Sequence, residues 1–296
     1  MRVVSRFAPA PSGHLHLGHV VNAIYVWGVT RALGGRVLLR VEDHDRRRSR
    51  PDYEASILAD LAWLGFVPDE GPVRQSERTS IYDAALADLD GRDLVYACRC
   101  SRSDIAAQAE DGGRGADAEI ERRYPGICAG LGLADGPGRG MRVRLAAGAE
   151  HFDDWCHGPR EQRPYDQCGD LLARDRDGHW TYQFAAAVDD LAQGVTLVIR
   201  GDDLLPSTGR QIQLARMLGR PDPAAFLHHP LIMKSSTQKL SKSDGDSGVR
   251  DLRAQGWRPG QVIGQAAALV GLIEHPGDMT ADATAGLFDA YTRRYA

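Results

Sequence analysis

The stretch from Val3 to Leu33 constrains the fold more than any other part of the chain. A β-type run, Val3-Val4-Ser5-Arg6-Phe7, enters a loop broken by Pro9, Pro11 and Gly13, and an apolar periodic run from Val20 to Leu33 begins directly after Gly18-His19. That order predicts a strand, a loop of phosphate size and a helix. A helix N-terminus carries unpaired N–H groups and a partial positive charge, so phosphate oxygens are favoured there. His16 and His19, three residues apart on one face of the first turn, can donate to the same anion, and Gly18 between them lets a nucleotide lie against the backbone. Taken alone, the H-x-G-H string fits a solvated loop with a capping histidine equally well.

The α/β alternation continues. Arg36 to Val41 predicts a second parallel strand with Glu42 at its carboxyl end. Ligands bind along that edge of an open α/β sheet, so Glu42 and the histidine loop are expected to face one crevice, the plain alternative being a solvated carboxylate at a strand exit. Arg46-Arg47-Arg48-Ser49-Arg50 offers four guanidinium groups to nucleic-acid phosphates, or is simply a solvated loop. Pro51 then opens a helix with Ile57, Leu58, Leu61, Trp63 and Leu64 on its apolar side, and Ile81 to Leu89 reads as another. In the second half, Val195 to Ile199 predicts a buried parallel strand with Arg200 at the crevice edge, and Thr208 and Gln211 to Leu218 begin a helix. His228-His229-Pro230-Leu231 leads to the last strand; with no third ligand nearby, the two histidines are not read as a metal site.

From Tyr96 the texture changes. Cys98-Arg99-Cys100 is followed by the Gly-broken segment Glu110 to Ala118 and by Tyr124-Pro125-Gly126-Ile127-Cys128. Two thiolates in a C-x-C pair and a third a short loop away are typical ligands of tetrahedral Zn²⁺, and the Tyr124 phenol can complete the set; free buried cysteines are the alternative. Such a closed site would be structural. Cys156 and Cys168 fall outside the pattern and read as ordinary thiols, and an odd number of cysteines in a chain this large argues against a disulfide framework. Met141-Arg142-Val143-Arg144-Leu145 alternates as a half-buried strand does.

Composition bounds the function. The chain has 296 residues, 43% hydrophobic and 26% charged, with a formal net charge of −4, so contact with nucleic acid must use a local patch. No stretch approaches the roughly 20 apolar residues of a membrane span and no apolar signal core follows the N-terminus, which predicts a cytoplasmic protein without membrane contact. Lys234, Lys239 and Lys242 are its three lysines, two of them inside Lys239-Leu240-Ser241-Lys242-Ser243. Where arginine is the default cation, lysine at a phosphate site suggests a compact, mobile point charge.

The H-x-G-H loop and the KLSKS string together resemble the two ATP signatures of class I aminoacyl-tRNA synthetases, and the opening loop with Arg40-Val41-Glu42-Asp43 resembles the glutamyl branch. The cysteine-tyrosine cluster and the 53 residues after Ser243, too few for a separate anticodon-binding domain, resemble the glutamyl-queuosine branch, whose members esterify queuosine in the anticodon loop of tRNA(Asp). The resemblance implies an α/β fold with a Rossmann-like catalytic domain, an inserted α+β subdomain carrying a zinc site, and a short helical C-terminal segment. The expected division is 1–94 and 171–235 for the catalytic halves, 95–170 for the insert that binds a tRNA arm, and 236–296 for the KLSKS loop and C-terminal helices such as Pro259 to Leu272 and Ala281 to Tyr295.

The resemblance also implies the site. Arg6 and Arg200 would hold the carboxylates of L-glutamate, Glu42 its ammonium, and Tyr182 and Ala10 would line the pocket, Ala10 standing where a serine is usual. His16, Gly18 and His19 would bind ATP from one side, Lys239 and Lys242 from the other, with Mg²⁺ carried on the phosphates. Cys98, Cys100, Tyr124 and Cys128 would hold one structural Zn²⁺, and the enzyme, a ligase, would act as a monomer. Three readings compete: a minimal glutamyl-tRNA synthetase charging the 3′ end of tRNA(Glu), an H-x-G-H nucleotidyltransferase, and a non-enzymatic RNA-binding module. Glutamate-dependent ATP–pyrophosphate exchange separates the synthetases from the other two.

Overall fold

The computed structural model describes residues 3–108, 123–232 and 248–290. The opening unit forms as expected. Strand β1 (Val4–Phe7) leads through the Pro/Gly loop to helix α1 (Leu17–Ala32), and β2 (Arg36–Val41) returns parallel to β1 with Val4 opposite Arg36. Helix α1 begins three residues earlier than the apolar run predicts, because two histidines cap it: the Gly18 N–H donates to His16 Nδ1 at 3.1 Å and the His16 N–H to His19 Nδ1 at 3.1 Å. Helix α2 (Pro51–Leu64) starts on a proline in its first turn and stops at Gly65, whose φ of 84° only glycine adopts readily.

A third strand, β3 (Glu70–Arg74), joins the sheet in the order β1-β2-β3. The sequence analysis assigned no element to this stretch; β3 pairs parallel with β2, with a register shift between Leu38 and Arg40. Helix α3 (Thr79–Asp90) follows, and β4 (Val95–Cys98), β5 (Gly140–Val143) and β8 (Leu171–Arg174) form an antiparallel sheet. All four residues of β5 are buried, unlike the half-buried alternation expected there: one side packs on apolar residues and the other on the cysteine cluster. Short helices α4 (Arg102–Gln108) and α5 (Pro164–Cys168) flank this sheet.

The hairpin of β6 (Glu150–Asp154) and β7 (Gly158–Gln162) falls inside the expected insert but joins a different sheet, in the order β7-β6-β10-β9. There β9 (Leu197–Gly201) and β10 (Ala225–His229) run parallel; α6 (Tyr182–Ala192) leads into β9, and α7 (Thr208–Met217) lies in the crossover from β9 to β10. The span 95–170 therefore feeds two sheets. Its hairpin carries Phe152, which meets Phe226 edge-on at 5.7 Å and buries that side of β10. Thr196 N–H donates to Val4 O at 2.9 Å, so β9 lies beside β1 and the two parallel sheets share one carboxyl edge.

Helix α1 is buried nearly all round, against α2, the sheet and the C-terminal elements α8 (Val249–Ala254) and α9 (Pro259–Leu269). Residues Asp282–Phe288 form a 3₁₀ turn instead of the start of the helix expected from Ala281. The turn drops the Phe288 ring onto Gly28, where any side chain on α1 would collide with it. Among the described residues no helix is long and apolar enough to cross a membrane.

Candidate active site

The parallel strands deliver their carboxyl ends to one crevice of about 230 Å³, lined by Arg6, Ala8, Asn22, Glu42, Tyr182, Ile199, Arg200, Gly201 and Leu204. Arg6 lies near the end of β1, Glu42 follows β2, Arg200 lies in β9 and Tyr182 opens α6, so strand ends and a helix start bring together four of the five residues expected to bind glutamate. Ala10 is exposed on the opening loop and lies outside the lining, whereas Ala8 belongs to it.

Arg6, Glu42 and Arg200 are nearly fully buried, so their charges need partners. Arg6 donates through Nε to Asp190 Oδ1 at 3.0 Å and through Nη1 to Ile199 O at 3.1 Å. Arg40, with no exposed surface, donates through Nη1 to the same Asp190 oxygen at 2.7 Å and through Nη2 to Glu42 Oε1 at 3.2 Å. Asp189 takes Gln75, Arg78 and Tyr82 at 2.6–2.8 Å. Burial alone would raise the Asp190 carboxyl, but Arg6 and Arg40 more than offset it and hold it below the usual range. Burial likewise opposes the charge on Arg40, and Asp190, Glu42 and Asp189 outweigh it. The Tyr182 phenol is raised by burial and then by the Glu42 charge, so it stays protonated and able to donate.

In this network four arginines (6, 40, 78 and 200) meet three carboxylates (Glu42, Asp189 and Asp190). One positive charge is left over, which suits a zwitterionic ligand with two carboxylates and one ammonium. Arg200 carries the excess: it contacts neutral groups, and burial lowers its pKa.

The histidine loop lies in the chain between two lining residues, Ala8 and Asn22, at the start of α1; His16 and His19 are themselves outside the lining. Because both Nδ1 atoms accept backbone N–H groups, the neutral rings of His16 and His19 carry their proton on Nε2, and their centroids lie 4.0 Å apart. Gly18 sits under His16, where a side chain would press on the ring. Lys239 and Lys242 lie outside the described residues. Gly248 bridges to His16, and Val249 N–H donates to Leu15 O at 2.9 Å, which ties the start of α8 to the histidine loop.

A second constellation lies at the end of the antiparallel sheet. The sulfurs of Cys98, Cys100 and Cys128 are all within 4.8 Å of one another, Cys100 and Cys128 at 3.5 Å, and sulfurs about 2.3 Å from a tetrahedral ion would stand about 3.8 Å apart. Tyr124 Oη lies 3.4 Å from Cys98 Sγ and 4.0 Å from Cys100 Sγ, so the expected four donors converge and can hold a metal ion. Burial would raise the Cys98 thiol, but the Tyr124 phenol and the Arg142 guanidinium, whose Nε donates to it at 3.4 Å, bring it below its usual value. Burial pushes Cys100 up to about 12. Tyr124 is brought in by Gly169: its N–H donates to Cys168 O at 2.9 Å, and a side chain at Gly169 would strike the Tyr124 carbonyl.

Sequence reasoning gave Asp189, Asp190 and Arg40 no role in the site. The signal was present: an arginine inside the run Val37-Leu38-Leu39-Arg40-Val41 and two aspartates inside Ala185-Ala186-Ala187-Val188-Asp189-Asp190-Leu191 interrupt apolar segments and call for partners. Which partners they find, across 150 residues in the case of Arg40 and Asp190, required the fold.

A family model described as tRNA synthetases class I (E and Q), catalytic domain, matches residues 2–275. A glutamyl-Q tRNA(Asp) synthetase of Ralstonia nicotianae is 42% identical over 282 residues, covering 93% of this chain and 86% of that one. One of Symbiobacterium thermophilum is 41% identical over 299 residues, covering 96% and 91%. Among solved structures, a glutamate tRNA ligase from Elizabethkingia meningosepticum in complex with its amino acid matches with a TM-score of 0.78 at 26% identity, over 96% of this chain and 64% of that one. The chain thus spans less than two thirds of that ligase. With the family model running almost from end to end and relatives this similar over most of their length, the chain belongs to the class I tRNA synthetases of the E and Q type, a ligase family, on the branch of the glutamyl-Q tRNA(Asp) synthetases.

Proposed function

We propose that this chain activates L-glutamate with ATP and transfers it to queuosine in the anticodon loop of tRNA(Asp). The observation that carries the reading is the difference in similarity: 41–42% to proteins named for that reaction, against 26% to a glutamate tRNA ligase. The crevice supports the first half. Arg200 and Arg6 hold the two carboxylates, Glu42 the ammonium, and Tyr182 donates a hydrogen bond. Ala10 brings no side-chain donor, so any contribution it makes is through its backbone. A glutamine carboxamide would leave a buried guanidinium half paired, which is the basis of discrimination.

In the first step a carboxylate oxygen of glutamate attacks the α-phosphorus of ATP in line, and pyrophosphate leaves. The protein contributes positioning and charge: Nε2–H of His16 and His19 and the α1 N-terminus on one side, Lys239 and Lys242 on the other. Mg²⁺ carried on the phosphates would neutralise them further. In the second step a queuosine hydroxyl attacks the glutamyl carbonyl carbon, AMP leaves with the bonding pair, and the hydroxyl proton is released as the ester forms.

We divide the labour as 1–94 and 171–235 for the catalytic halves, 95–170 for a unit that grips the anticodon arm, and 236–296 for the KLSKS loop and its support, with β6 and β7 counted in the catalytic sheet and β8 in the insert. Cys98, Cys100, Tyr124 and Cys128 would hold Zn²⁺, whose contribution would be to tie the two chain segments 98–100 and 124–128 together. The chain acts as a monomer in the cytoplasm, where its tRNA and ATP are found.

The test is transfer of labelled glutamate, with ATP and Mg²⁺, to tRNA(Asp) fragments that end short of the 3′ terminus and contain or lack queuosine. Label on the queuosine-containing RNA alone is expected. Label found instead on intact tRNA(Glu), with none on the fragments, would overturn the reading in favour of a minimal glutamyl-tRNA synthetase.

A further inference from the structure

Arg200 differs from the other arginines of the crevice in the company it keeps. Arg6 and Arg40 ion-pair with Asp190, whereas Arg200 donates through Nε to His228 Nε2 at 2.9 Å, through Nη1 to Gln211 Oε1 at 2.6 Å and through Nη2 to Thr208 Oγ1 at 2.9 Å. All three acceptors are neutral. A carboxylate does stand nearby, but one ring further out: Asp154 Oδ2 lies 2.6 Å from His228 Nδ1, and both residues are fully buried.

The polarity of this chain of groups is fixed. Asp154 accepts the backbone N–H groups of Cys156 and His157 at 3.0 and 3.1 Å, and His228 outweighs the effect of burial to keep its pKa low, so Asp154 is an ionised acceptor. Nδ1 of His228 must therefore carry the proton, and burial favours the neutral ring. Nε2 is left bare and takes the Nε–H of Arg200; it also lies 3.2 Å from the Thr208 hydroxyl. Beyond these three bonds the guanidinium also hydrogen-bonds the Tyr182 phenol, and the donor capacity left on Nη1 and Nη2 is available to a carboxylate, all of its partners so far being neutral.

We propose that His228, locked in one tautomer by Asp154, is a positioning and specificity residue for glutamate: it orients Arg200 through a neutral acceptor and holds the Asp154 charge one imidazole away, so that the cation remains uncompensated until the substrate carboxylate arrives. A carboxylate in the place of the ring would neutralise Arg200 and compete with the ligand; an apolar residue there would leave a buried N–H unpaired and the fork free to turn. The inference rests on the glutamate site proposed above.

The experiment is glutamate-dependent ATP–pyrophosphate exchange on the full chain, comparing wild type with H228L, H228Q and D154N. A wild-type exchange that ignores glutamate would overturn the functional reading itself, whereas the variants speak to His228 alone. H228L is expected to raise KM for glutamate about 10- to 100-fold and to reduce the preference for glutamate over glutamine by a similar factor, leaving KM for ATP within about twofold. H228Q, whose carboxamide oxygen restores a neutral acceptor, should return KM for glutamate to within about fivefold of wild type. D154N, which lets the ring turn its Nε2–H toward Arg200, should raise KM for glutamate about 10-fold and decides the matter if H228L does not fold. Wild-type KM for glutamate in H228L or in D154N, or equal damage in H228L and H228Q, would overturn the proposal.

Discussion

Replacing Arg40 with methionine tests whether the buried charge network is organised as described. The guanidinium makes a direct ion pair with Asp190 at 2.7 Å, a charge-assisted bond to Glu42 at 3.2 Å and a bond to Gln193 Oε1 at 3.0 Å, with no exposed surface. Methionine fills a similar volume, so the loss is electrostatic. Asp190 keeps Arg6, and Asp189 keeps Gln75, Arg78 and Tyr82, which limits the damage to one buried pair and the bond to Glu42. Breaking a buried pair by removing one partner costs about 3–5 kcal/mol. At about 2–4 °C per kcal/mol for a large domain, the melting temperature should fall by about 6–20 °C. Thermal unfolding followed by circular dichroism measures that fall. Glutamate-dependent pyrophosphate exchange on the same protein should show a higher KM for glutamate, because Glu42 loses the group that aims it. A melting temperature within about 2 °C of wild type, or an unchanged KM, would refute the claim that Arg40 holds the two halves of the crevice together.

Three further outcomes follow from the same geometry. Cys98→Ser should lower bound zinc from about one ion per chain to a small fraction of that and reduce the melting temperature, as read by elemental analysis and calorimetry; metal-free protein of full stability would sink the proposed site. Gly28→Ala should destabilise the chain by about 1–3 kcal/mol in urea unfolding, since its methyl group must enter the space of the Phe288 ring. Acid should destabilise as well. Burial holds the His228 pKa below its ordinary 6.5, and the arginines hold Asp190 below its ordinary 3.8, so in both cases the unfolded chain takes up protons first. The contribution of His228 is lost as the pH falls below 6.5 and that of Asp190 as it falls further, below 3.8. Stability that rises between about pH 7 and pH 5 would contradict the first of these signs.

How far the sequence could be read depended on how local each determinant was. The opening strand, loop and helix were legible because adjacent residues carry the signal, and the strand ends bearing Arg6, Glu42 and Arg200 followed from short apolar runs. The start of α1 was misjudged by three residues because a histidine capping box lies outside the apolar periodicity. Strand β3 was not anticipated: its place is set by pairing with β2, which a local reading does not contain. The start of the helix expected from Ala281 is a 3₁₀ turn, over Asp282–Phe288, where Phe288 closely approaches Gly28, a contact across 260 residues that a local reading does not contain; 291–295 lie outside the described residues. The cysteine cluster was legible by spacing, although the glycine that admits Tyr124 was not.

The histidines of β10 show why a negative reading of a motif is only half a reading. No third ligand accompanies His228 and His229 in sequence, and their partners differ: Asp154 and Arg200 for the first, Asn22 and the Pro230 carbonyl for the second. All but the Pro230 contact are formed by strands or helices that arrive from elsewhere. A buried histidine needs a donor on one side and an acceptor on the other, and only one arrangement of its two nitrogens satisfies an ionised aspartate and an arginine at once. Burial alone would therefore have tolerated many side chains at position 228. What the site demands is a neutral group that accepts on the face toward Arg200 and donates on the face toward Asp154, and among the ordinary side chains of that size the imidazole does this with a rigid ring. The requirement comes from the charge left over in the crevice, which must stay available to an anion while the carboxylate behind it remains ionised.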